Sequence, residues 1–187
     1  MKCARFAILV ISALTLASCM ASLYPLYLPE NLTSLKGIEG KWESDSTEIG
    51  DETWEFSKHD SLSYDLIYTE FGSPAPFSVH FVKLDSYLFI DLSPKPAESD
   101  NETYSGMLVP THIFGRVWFQ GDSLVIGWLD PEWLSDKLEA GDVSLNHEER
   151  ENDQLLTAPT QELQAFAVRY ANDPDAFPRE TLTRAVQ

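Results

Sequence analysis

Cysteine is nearly absent from this 187-residue chain, occurring only as Cys3 and Cys19. Everything after Cys19 must therefore hold its fold without disulfides, by packing alone. Basic residues are also scarce, with 13 Lys and Arg against 30 Asp and Glu and a formal charge of −17. That balance excludes nucleic acid as a partner, because such binding rests on Lys and Arg neutralising phosphates. It disfavours a basic membrane-binding patch for the same reason. No glycine-rich phosphate loop, dinucleotide fingerprint or G-x-S-x-G elbow is present. The four histidines, His59, His80, His112 and His147, stand at no zincin or zinc-finger spacing. Paired carboxylates carry no diagnostic weight among so many acids, and an enzyme is the minority reading.

What is present begins at the N-terminus. Lys2 and Arg5 precede an apolar run from Phe6 to Ala17, too short for a helix across a hydrocarbon core of about 30 Å. A positive start, a short apolar stretch and small residues before a cut describe an export signal. Leu16, Ala17, Ser18 and Cys19 resemble a bacterial lipobox, which implies removal of residues 1–18 and diacylglycerol attachment to the Cys19 thiol. Two or three acyl chains would anchor the product firmly, whereas one chain anchors only marginally. The mature chain would carry about −19 and contain no free thiol. Met20 stands where the inner-membrane pattern has Asp, so the resemblance implies the outer membrane, facing the periplasm.

Residues 19–36 read as the lipidated cysteine and a tether. Tyr24, Leu26, Tyr27 and Leu28 are too apolar for a purely solvated linker, so part of it is expected to pack on the domain. A single domain is expected over residues 37–175, with 176–187 as a fraying tail. Eight short alternating runs suggest antiparallel strands. They centre on Trp42; Trp54 and Phe56; Tyr64, Leu66 and Tyr68; Phe77 to Leu84; Tyr87 to Leu92; Ile113 to Phe119; Leu124 to Trp128; and Val143, Leu145 and His147. Asp85 and Ser86 predict a tight hairpin. Residues 93–110 read as a long polar loop. Asp130 and Pro131 open a helix that Gly141 closes. Leu163, Phe166, Ala167 and Tyr170 form an apolar helical stripe beginning near Thr160.

The expected fold is mainly β, an eight-stranded antiparallel up-and-down barrel with a helix before the last strand and a C-terminal helix. Closure of the sheet removes exposed edges. Gly40, Lys41 and Trp42 form a G-x-W at the start of the first strand, which resembles the lipocalin and wider calycin pattern. In that pattern the tryptophan closes one end of the barrel beneath a basic residue from the last strand, which points to Arg150. The resemblance also implies ligand binding.

Such a barrel is wide enough to be filled by side chains or to hold one small ligand. Trp54, Tyr64, Tyr68, Phe81, Phe89, Trp118 and Trp128 are the candidate pocket lining. An apolar or amphiphilic ligand is the leading expectation, a filled barrel serving as an envelope interaction module the alternative. No cofactor is expected. Convergence of His80, His112 and His147, with Asp91 or Glu149 nearby, is the weak candidate for a metal site.

Overall fold

A computed structural model describes residues 20–44, 52–96, 101–150 and 154–185. Leu16, Ala17, Ser18 and Cys19 lie outside the described residues. Eight antiparallel strands close into a barrel: β3 (Gly40–Ser44), β4 (Thr53–Lys58), β5 (Ser63–Glu70), β6 (Ser73–Leu84), β7 (Tyr87–Pro94), β8 (Ile113–Gln120), β9 (Ser123–Trp128) and β12 (Arg179–Arg184). The first seven follow one another as a meander, and β12 closes the ring between β9 and β3. Two short strands, β1 (Ala21–Ser22) and β2 (Leu32–Thr33), flank the barrel wall.

Turn chemistry fixes several registers. Phe71 and Gly72 join β5 to β6 with φ of 49° and 74°, the combination a type I′ turn requires. Asp85 takes a φ of 53° in the two-residue link between β6 and β7. The expected polar loop after β7 contains α1 (Glu102–Met107), capped by the Asn101 side chain, which accepts the Tyr104 N–H at 2.9 Å.

The segment between β9 and β12 departs from the meander. It holds α2 (Pro131–Glu139), β10 (His147–Glu149), β11 (Gln154–Leu156) and α3 (Thr160–Tyr170). The α2 start is as expected, with Asp130 accepting the Trp133 N–H at 2.7 Å. The run at Val143, Leu145 and His147 is not the eighth barrel strand. Val143 and Leu145 lie in irregular chain with their side chains buried in the outer core, and His147 begins a separate three-stranded sheet, β1–β11–β10. Residues 179–184, expected within a fraying tail, supply the missing strand instead. Apolar alternation could not reveal it, because Leu182 is the only apolar residue in Arg179–Arg184.

Two apolar clusters result. Inward residues of the barrel, including Trp42, Phe56, Leu66, Phe81, Ile90, Leu124, Ile126 and Leu182, form one. The other lies outside the β6–β7–β8 wall, where Val82, Leu84, Phe89 and Phe114 meet Met20, Leu26, Leu134, Leu163, Phe166 and Phe177. Strands buried on both faces lose strict alternation, which explains the nearly continuous apolar run Tyr87–Leu92. The expected tether belongs to this outer layer. Leu26 is fully buried, and Ser22 exchanges backbone hydrogen bonds with His112 at 2.7 and 2.8 Å.

Candidate functional site

Trp42 lies at one end of the barrel interior, its indole Nε1–H donating to the Ile38 carbonyl at 2.8 Å. A guanidinium does cover it, but the residue is Arg184 of β12, 4.2 Å from the ring centroid, and not Arg150. Arg150 is exposed beyond β10, outside the barrel sheet. Arg184 also donates to the carbonyls of Glu39, at 2.6 Å, and Gly37. Gly40 makes this possible, since a Cβ there would stand 2.7 Å from Arg184 Nη1. The glycine and the tryptophan of the G-x-W thus serve one arginine.

Five of the seven candidate pocket residues do face the interior: Trp54, Tyr64, Tyr68, Phe81 and Trp128. They touch one another. Trp54 stacks on Trp128 with centroids 5.8 Å apart and meets Tyr68 at 4.7 Å, and Tyr64 packs edge-on to Phe81 at 5.5 Å. Leu66, Val79, Phe81, Ile90 and Leu124 expose no surface, so no water-sized void touches them. Phe89 and Trp118 alternate to the outer face of the wall instead. Phe89 packs on Phe177 at 6.1 Å, and Trp118 has two guanidiniums over its ring, those of Arg116 and Arg179.

Toward the end opposite Arg184 the filling becomes polar. Buried Glu52 accepts the Trp54 indole N–H at 3.1 Å, and Glu180 accepts the Ser44 hydroxyl at 2.7 Å. Burial, reinforced by the Glu52 charge and opposed by the Ser44 bond, raises the Glu180 pKa. Burial and the hydrogen bond with Glu52 hold the Tyr68 phenol far above its ordinary range. Tyr68, Phe77 and Trp128 remain partly exposed at this end of the barrel, close to Glu52 and Glu180.

On the outer wall, Asp91 is fully buried, yet both of its oxygens are engaged. One accepts the Leu26 N–H at 2.8 Å, and the other meets His112 Nδ1 at 2.7 Å. Tyr27 lies against His80, tilted by 31° with ring centroids 4.3 Å apart, and meets His112 edge-on at 6.4 Å. Burial lowers the His80 pKa and raises that of Tyr27, with the Asp91 charge adding to the latter. His80 Nδ1 is buried without a hydrogen-bond partner among the described residues. His147 belongs to the other sheet, bonding Leu145 O through Nδ1 at 2.9 Å. The three histidines therefore do not converge, and no metal-binding cluster occurs among the described residues.

No family model, curated protein or solved structure matches the chain. Its chemistry rests on its own geometry. His112 and Asp91 form an oriented dyad of the kind that tunes a general base, but among the described residues no nucleophilic side chain bonds to it. Its visible work is mechanical, since it ties residues 22–31 to the wall. Thr160 and Gln164 of α3 complete the strap, donating to the Pro25 and Leu26 carbonyls at 2.8 and 2.9 Å. One signal for this cluster was in the sequence, an aspartate inside the apolar run Tyr87–Leu92. An open groove of about 350 Å³ between Val143–Leu145 and α3, bordered by Glu162 and Arg169, lies outside the barrel.

Proposed function

We propose that the protein is a bacterial cell-envelope lipoprotein, acylated at Cys19, whose calycin-like barrel is a solid support for contact with an envelope partner. The observation that carries this reading is the interior: Leu66, Val79, Phe81, Ile90 and Leu124 expose no surface. A calyx around a ligand needs empty volume at those positions. The strapped N-terminal segment fits the same reading. Met20 is already buried and Ser22 already paired, so acylation of the adjacent residue would hold the barrel against the leaflet. A free tether of that length would instead reach about 50 Å. By the sorting pattern the membrane is the outer one and the domain faces the periplasm.

Crosslinking in native envelopes is expected to recover a protein partner that a Cys19→Ser control, unanchored, does not. A small molecule co-extracted in stoichiometric amount, with no partner captured, would overturn this reading. It would favour a second one, supported by the partly exposed Tyr68, Phe77 and Trp128 close to Glu180: an amphiphile held at that end of the barrel, with a positive group facing the carboxylates.

A further inference from the structure

On the outer wall, β8, β9 and β12 align Arg116, Gly127 and Arg179 in one row of cross-strand partners. Gly127 puts no side chain between the two arginines. A Cβ there would stand 2.7 Å from the Phe177 carbonyl oxygen, so the chain crossing above keeps the position bare. Both guanidiniums turn to the same indole. Arg116 lies 5.0 Å and Arg179 4.6 Å from the Trp118 ring centroid, and Arg116 also lies 4.8 Å from the Tyr87 ring.

Arg116 is only 7 % exposed. Its Nη1 donates to the Leu88 and Val117 carbonyls at 2.6 and 2.7 Å, while its buried Nε has no hydrogen-bond partner among the described residues. No carboxylate makes an ion pair with either arginine among the described residues, in a chain that carries 30 acids. Buried charges are normally paired, because the cost of leaving water is otherwise uncompensated. Burial lowers the Arg116 pKa, the Arg179 charge lowers it further, and the Tyr87 phenol opposes them. Two like charges beside one ring, with no acid between them, leave an electrostatic demand that ring faces and carbonyls meet only in part.

We propose that Arg116 and Arg179, steadied by the faces of Trp118 and Tyr87, form a binding site for a phosphate-type oxyanion. A tetrahedral oxyanion accepts hydrogen bonds from several directions at once, and the guanidinium fork suits it better than a lysine ammonium does. Arg179, exposed, is the point of capture. Arg116, fixed by two carbonyls and three rings, is the pre-ordered half. The phosphate is carried either by a phospholipid headgroup or by a small soluble ion. The site is independent of acylation and of the solid-barrel reading.

The test uses the full chain purified in detergent and titrated calorimetrically with three probes. These are inorganic phosphate, monomeric dihexanoyl phosphatidylglycerol, and dihexanoylglycerol as the phosphate-free control. Saturable binding of the first two is expected, weakened about tenfold or more by Arg179→Gln, since hydrogen bonds to charged groups are worth at least that factor. Preference for the lipid over inorganic phosphate assigns a headgroup site, and the reverse a soluble anion. Arg179 is exposed, so its variant should fold as the parent does. Arg116→Met, checked by thermal denaturation, gives a second reading of the same loss. Absence of saturable binding, equal binding of the phosphate-free control, or binding unchanged by Arg179→Gln overturns the proposal.

Discussion

The inside of the barrel and the layer outside its β6–β7–β8 wall are both apolar, but they are assembled differently. Inside, neighbours in the sheet are mostly neighbours in sequence, and each hairpin delivers its own share of the filling. Outside, the strap at residues 22–31, helices α2 and α3, and Phe177 arrive from distant parts of the chain. Polar groups follow the same division. Within the barrel, charged groups gather at its ends, Arg184 at one and Glu52 and Glu180 at the other. The outer layer buries Asp91 in mid-wall and uses it to fasten the strap. The barrel is built largely by local turns, whereas the outer layer needs a polar clamp to fix which distant segment lies where.

The sharpest way to break this division is to hollow the inner core. Phe81→Ala is expected to cost about 3–5 kcal/mol, read as a lower denaturant midpoint. A smaller loss would mean that the outer layer carries more of the stability than its burial suggests. Asp91→Asn comes next, at about 1–3 kcal/mol, since it weakens bonds to buried groups. Hydrogen exchange should show the Leu26 amide losing protection before the barrel amides do. Equal loss throughout would remove the distinction between clamp and barrel.

Substitution of Asp130 by Ala should cost about 1 kcal/mol through the α2 cap. Its thermal midpoint should fall slightly with the barrel hairpins unchanged in hydrogen exchange.

The smallest effects are pH slopes of opposite sign. The Glu180 pKa is raised in the fold, so the native state binds its proton more tightly, and stability falls as pH rises from the ordinary glutamate value through the raised one. Glu180→Gln should abolish that fall. The His80 pKa is lowered from 6.5, so the folded chain favours neutral imidazole and loses stability as pH drops through that ordinary value. His80→Gln should flatten this slope. Denaturation midpoints between about pH 4 and 8 would separate the Glu180 end of the barrel from the His80 flank.

These contrasts also explain what was legible in the sequence. Seven barrel strands and both long helices announced themselves, because hairpin alternation, the Asp130–Pro131 cap and the apolar stripe of α3 are local signals. The last strand did not. It is made of arginines and threonines, with Glu180, Leu182 and Arg184 facing inward, and its strand character comes from the two edges it joins. For the same reason Arg150 stood in for Arg184 above Trp42. The Asp91 clamp was hidden by distance, since its partners come from Leu26 and His112. The outward placement of Phe89 and Trp118 followed from strand parity, and Arg116, a charge sharing their face, was the signal for it.

The position of β12 sets a timetable. Its partners, β3 and β9, are made long before it, and each keeps one unpaired edge until residues 179–184 arrive. Some fifty residues separate β9 from β12, so the ring is closed by a contact between segments distant in sequence. A chain in which β12 has not docked keeps two sheet edges free to pair with other chains. The six residues of β12 therefore guard both edges at once.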